Sequence, residues 1–158
     1  MAWVMYNQFK LSQLDDTGAN AQTPVDFETD KIHLLLLDAG STIDQADQDV
    51  TDIIAGASDS EVTGTNYARK VISSVLATLS GVTVTVDGSN PSQYAQHAGS
   101  GFNDAKYAIL YKGDNSVPAS DTAASSPVIA SYTFTSNLNN TSGNLSLAFS
   151  AAGIFTLA

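Results

Sequence analysis

Lys31-Ile32-His33-Leu34-Leu35-Leu36-Leu37 is the stretch on which the fold of this chain turns. It is too short for a typical helix and too apolar for a strand with one wet face, so it predicts a central strand covered on both sides. Working outward, Tyr107, Ile109 and Tyr111 alternate with Ala108 and Leu110 within Ala105 to Tyr111, a second strand with both faces partly covered. Val128 to Thr135 reads as a third, followed by Asn144 to Ser150 and Gly153 to Leu157, with a turn over residues 139–143. Ile72 to Leu79 and Val82 to Val86 form two more, joined by a tight turn at Ser80-Gly81. Strands at this spacing predict a mainly β chain: an antiparallel β-sandwich or jelly-roll-like domain with one or two short helices near the N-terminus.

The helices are read from Trp3 to Leu14, where Trp3, Met5, Tyr6, Phe9 and Leu14 are spaced for a short amphipathic helix, and from Asp44 to Ala57, where Val50, Ile53, Ile54 and Ala57 share a face. Acidic residues gather in the first turns of the second, where the helix dipole favours them. Asp15 to Thr23 reads as a loop, Asp87 to Asp104 as a long polar surface excursion, and Gly113 to Pro127 as a mobile polar linker. The 158 residues fit one domain, 1–158, of which 1–24 are expected to be a helical or extended N-terminal arm.

Cysteine is absent, which excludes disulfides and thiolate metal sites. The net charge is −10, and between Leu11 and Ala68 twelve acidic residues face only Lys31. Such a field repels phosphate backbones and anionic lipid surfaces, so neither direct nucleic-acid binding nor membrane association is expected. No run is long enough to span a bilayer, and residues 1–10 lack the pattern of a secretion signal, so synthesis in a host cytoplasm is expected. Ser and Thr number 34, which predicts a surface that is largely hydroxyl-bearing.

Chemistry-bearing constellations are sparse. Asp16-Thr17-Gly18-Ala19 has the form of an aspartic-protease core, and Asp38-Ala39-Gly40-Ser41 a weaker one, but local turns that use Asp and Gly account for both. Asp44, Asp47, Asp49 and Asp52 invite a calcium reading, yet the turn glycine and terminal glutamate of the loop template are missing, and a solvated acidic helix face is the expectation. His33 lies in the most apolar strand and reads as a hydrogen-bonded core or interface residue; His97 reads as a loop residue. No Gly-x-Ser-x-Gly elbow or phosphate-cradling loop occurs. Asn140 and Asn144 fall in Asn-x-Ser/Thr sequons of the kind that arise by chance in such a composition. No catalytic, cofactor-binding or metal-binding residue is therefore expected. In Gly64-Thr65-Asn66-Tyr67, Gly64 is expected to supply a backbone conformation closed to other residues, and Tyr67 a packed ring with a bonded hydroxyl.

Three features taken in order carry a family resemblance: Met5 to Lys10 followed by Val25 to Leu36, the Glu61 to Arg69 turn, and the closing pair Ala105 to Tyr111 and Val128 to Phe134. In that order the chain resembles small virion structural proteins of tailed bacteriophages over most of its length. Asn66 stands where that family commonly has glycine before the tyrosine, a substitution compatible with left-handed backbone. The resemblance implies a structural, non-enzymatic role on the particle. The acidic balance favours the outside of a DNA-filled shell, hence a capsid decoration or cement protein bound to the major capsid protein or other virion proteins and self-associating, for instance as a trimer. A tail or neck component is the alternative within the class. Outside it stands a carbohydrate- or receptor-binding module, with Tyr94, His97 and Phe102 as its aromatic platform.

Overall fold

The computed structural model describes residues 3–14, 24–55 and 59–157. The chain is mainly β, in two antiparallel sheets with two short helices. In chain order the elements are β1 (Val4–Met5), α1 (Asn7–Ser12), β2 (Lys31–Asp38), α2 (Val50–Ala55), β3 (Lys70–Ile72), β4 (Leu76–Ser80), β5 (Thr83–Asp87), β6 (Ala105–Gly113), β7 (Val128–Leu138) and β8 (Phe155–Leu157). The larger sheet has the order β1-β7-β6-β2-β3, the smaller β4-β5-β8.

β2 is the strand its composition predicts. Every side chain from Ile32 to Leu37 is buried, and since successive side chains point to opposite faces, both faces of the sheet are covered there. The middle place belongs to β6, with β2 beside it and β7 on its other side. Leu35 faces Ile109 and Leu36 faces Ala108 across one ladder; Ile109 faces Ser131 and Leu110 faces Ala130 across the next. Each fully buried Leu or Ile here contributes about 2 kcal/mol of transfer free energy. The smaller sheet joins the same core through Val86, Ile154 and Phe155, and Phe155 meets Phe9 and Phe27 edge to face.

Several expectations are corrected. Over its described part the N-terminal segment is extended and then helical and packs on the core: β1 pairs with β7, Tyr6 and Phe9 are buried, and the helix expected over Trp3 to Leu14 is confined to Asn7–Ser12 because Val4 and Met5 bond as a strand. Ile72 to Leu79 is not one strand. The chain leaves the larger sheet at Ile72, turns through Ser74 at φ +55°, and enters the smaller sheet at Leu76. The hairpin turn lies one residue later than expected, at Gly81-Val82 between the paired Ser80 and Thr83, with Gly81 at φ +62° as the first position of a type II′ turn requires.

Asn144 to Ser150 has a strand's alternation, with Leu145, Leu147 and Phe149 turned inward, yet among the described residues its only β pairing is by isolated bridges at Leu145 and Ser150. Alternation reports which side faces the core, not whether a neighbouring strand is available. Glu61 to Arg69 is a looped node, with one isolated bridge between Glu61 and Leu37. The expected linker after Gly113 is pinned by two 3-10 turns, buried Pro118 and buried Ser126.

Candidate functional site

The Glu61–Arg69 segment is built around one carboxylate. Arg69 donates to Glu61 through Nε at 2.9 Å and Nη2 at 2.7 Å, and the Tyr67 hydroxyl donates to the same carboxylate at 2.7 Å. The Tyr67 oxygen in turn accepts from the Leu36 N–H at 3.0 Å, which ties the loop to β2. Burial and the adjoining Glu61 charge push the Tyr67 hydroxyl well above the usual phenol range. Gly64 has φ +152°, and a Cβ there would lie 2.8 Å from the Phe102 nitrogen; Asn66 has φ +66°. Both backbone expectations for this turn therefore hold.

Asn140, fully buried, locks the polar excursion onto this turn. Its Oδ1 accepts from the Phe102 N–H at 2.8 Å, while its Nδ2 donates to the carbonyls of Ala95 at 2.9 Å and Thr65 at 3.1 Å. That amide is committed to the interior, so the Asn140 sequon is closed to modification in the folded chain. Asn144 is exposed, with its Oδ1 accepting from the Gln96 N–H.

The aromatic platform does not form. Tyr94 is stacked on Tyr67 and buried, and Phe102, buried too, meets both rings edge on. His97 sits half-buried in the excursion, its Nδ1 accepting from the Ser100 N–H at 3.1 Å.

A second constellation sits at the far end of β2. The Asp121 carboxylate accepts from His33 Nδ1 at 2.7 Å, from the Tyr111 hydroxyl at 2.9 Å and from the Asn115 N–H at 3.0 Å, and the His33 and Asp121 side chains are both shielded from solvent. A carboxylate only accepts, which places the proton of neutral His33 on Nδ1. His33 Nε2 has no partner, and the ring borders a cleft of about 350 Å³ also lined by Ser73, Ser74 and Ser116. A base held by an acid is thus in place, but no described hydroxyl is bonded to Nε2 to complete a nucleophile. Burial raises the Tyr111 hydroxyl above its ordinary range, partly offset by Arg69 over its ring. Gly113 is required here, since a Cβ would collide with the His33 imidazole.

Other described carboxylates serve local structure. Asp38 Oδ1 accepts from the Gly40 N–H at 2.9 Å and from Ser41 Oγ at 3.2 Å. Asp49 caps α2, accepting from the N–H groups of Thr51 and Asp52, and Asp52 reaches back to accept from the Gln48 N–H at 2.9 Å, just ahead of the cap. Asp47 has a carboxyl raised to about 6, first by burial and then by the neighbouring charges of Asp44, Asp52, Asp59 and Asp49. Among the described residues no group of three His, Cys, Asp or Glu converges in a way that would hold a metal ion. Asp16 lies outside the described residues.

Two surfaces stand apart from these networks. The β4–β5 hairpin turns large apolar side chains outward: Leu76 is 46% exposed, Leu79 71% and Val82 88%. Elsewhere, Trp3, Tyr132, Phe134, Leu147 and Phe149 help to line a groove of about 710 Å³, with Trp3 and Tyr132 ring centroids 5.4 Å apart.

His33 and Tyr111 meet as cross-strand partners in the β2–β6 ladder, a register that neither strand's sequence specifies. The burial of Asp121 and Asn140 leaves no mark in the sequence because both lie in irregular segments, where no periodicity points to a buried residue. No protein-family model, no curated protein and no solved structure matches this chain.

Proposed function

We propose that this chain is a non-catalytic structural subunit that works by fitting against neighbours in a large assembly. The setting is the virion of a tailed bacteriophage, as the resemblance in its sequence implies, and the place is the outer face of the capsid. The observation that carries the contact role is the β4–β5 hairpin, with Leu79 71% and Val82 88% exposed. A monomer gains nothing in water from apolar side chains held outward on an ordered strand pair, and exposed edge strands of this kind are ordinarily blunted by charge. Here the eleven residues from Leu76 to Val86 carry no charge in a chain of net charge −10.

Placement outside the shell is supported by that charge, since an acidic module is repelled by packaged nucleic acid. Many copies, each held by a small contact, would be retained through the symmetry of the lattice. Mass spectrometry of purified particles from a phage encoding this chain tests the proposal. The chain is expected as an abundant, stoichiometric component that protease added to intact particles removes. Absence from the particles, or full protection inside the shell, contradicts it.

A further inference from the structure

The fold completes only half of the bonding of His33. The side chain is fully shielded, Nδ1 is held by Asp121 at 2.7 Å, and Nε2 has no partner among the described residues. Buried polar atoms are ordinarily bonded, so an orphan beside a cleft points to a group supplied from outside the chain. The ring meets the cleft by the edge that carries this nitrogen. Asp121 and the Gly113 backbone lie against Nδ1 and Cε1, and neither residue lines the cleft, which leaves the Nε2–Cδ2 edge to border it.

Asp121 decides what can bind there. A carboxylate only accepts, so the ring proton stays on Nδ1 and Nε2 presents a lone pair. A ligand must therefore donate, which turns away a carboxylate anion. A cation finds no net charge to hold it, since Asp30 is paired with Lys112 at 2.8 Å and the other two charges on the wall, Glu28 and Lys31, are opposite. Ser73, Ser74 and Ser116 add hydroxyls that both donate and accept, while Phe27 and Val75 add apolar surface for C–H groups. At about 350 Å³ the cleft is at the small end for ligand pockets, with room for a single sugar ring.

We propose that this cleft binds a small neutral hydroxyl-bearing ligand, a monosaccharide or similar polyol, with one hydroxyl donating to His33 Nε2. Because Nε2 is closed to bulk water, the exposed Ser73–Ser74 turn, where Ser74 holds φ +55°, moves aside to admit that hydroxyl. Asp121 fixes the acceptor and no bond is made or broken, so the site is one of recognition. It depends neither on the hairpin as a contact surface nor on the virion setting.

The test uses the full chain, isotope-labelled at the histidine ring nitrogens, with His97 as the internal control. Glucose, galactose, mannose, N-acetylglucosamine and glycerol are each added to about 100 mM, enough to fill a site of millimolar affinity. At least one of them is expected to move the His33 Nε2 resonance saturably while the His97 resonances stay in place. Ser73→Leu and Ser116→Phe alter exposed positions on the cleft wall, and each is expected to weaken that binding at least tenfold with an unchanged circular dichroism spectrum. A free sugar and the end of a glycan chain share this chemistry, and either supports the proposal; methyl glycosides run alongside separate the two. No saturable movement with any of the five overturns it and assigns the orphan nitrogen to an ordered water. A stronger response to acetate or methylammonium overturns the neutral class, and binding that both variants leave intact overturns the site.

Discussion

The β2–β6 ladder and the β4–β5 hairpin are made from the same side chains and meet opposite fates. Leu35 faces Ile109 in a sheet covered on both sides, with neither exposed; Leu79 faces Val84 in a hairpin where Leu79 is 71% exposed. Both pairs are antiparallel and aliphatic, so strand propensity does not separate them. What separates them is the supply of covering elements. The larger sheet is covered by the N-terminal segment, the smaller sheet and the loops, whereas β4 has a neighbour on one side only. Apolar surface that the chain leaves uncovered in itself is surface available for another molecule.

The sharpest way to break this contrast is one substitution made in both places. Leu35→Ala is expected to cost about 4 kcal/mol, because it removes a fully buried side chain and leaves a cavity. Leu79→Ala is expected to change the stability of the isolated subunit by no more than about 0.5 kcal/mol. Urea denaturation of both variants checks the pair, and equal costs would mean that Leu79 is covered within its own chain.

Next in size is Asp121→Ala, expected to cost about 3 kcal/mol because the His33 Nδ1–H and the Tyr111 hydroxyl lose a shared acceptor out of reach of water. A cost below about 1 kcal/mol would show that water replaces the carboxylate there.

A smaller effect of opposite sign is expected at Asp47. Its folded carboxyl, at about 6, lies above the ordinary value of 3.8, so the native state holds the proton more tightly than the unfolded chain. That contribution is fully present below about pH 4 and is lost as pH rises through 6. At pH 7 the ionised group opposes folding, and Asp47→Asn is expected to stabilise by about 1 kcal/mol once solvent screening is allowed for. The advantage should vanish below pH 4, which denaturation midpoints at pH 7.5 and 3.5 would establish.

The sequence disclosed the mainly β architecture because Lys31 to Leu37, Ala105 to Tyr111 and Val128 to Thr135 carry strong local apolar signals that tertiary structure did not override. The Gly64–Tyr67 turn was legible for a different reason. Gly, Asn and Tyr each name a physical need: a backbone with positive φ twice over, and an amphipathic ring.

Where periodicity served two masters the sequence misled. Leu145, Leu147 and Phe149 alternate as in a strand because one side faces the groove, although among the described residues only isolated bridges pair with the segment. Tyr94 and Phe102 sit in a polar excursion that reads as solvent-facing, yet Asn140 folds it back and buries both rings. Such long-range closures leave no local trace. The exposure of the hairpin was equally hidden, since Val82, Val84 and Val86 alternate as though one face were buried throughout, and only Val86 is.

The claim that the hairpin exists for contact is tested most directly by light scattering of the wild-type chain and Val82→Asp over a range of concentration. The wild type is expected to rise from the 16.5 kDa of one chain to a multiple of that mass as concentration increases. Val82→Asp, with unchanged denaturation, should stay at the mass of one chain throughout. A wild type that remains monomeric at every concentration, or a Val82→Asp variant that assembles equally well, would contradict the account.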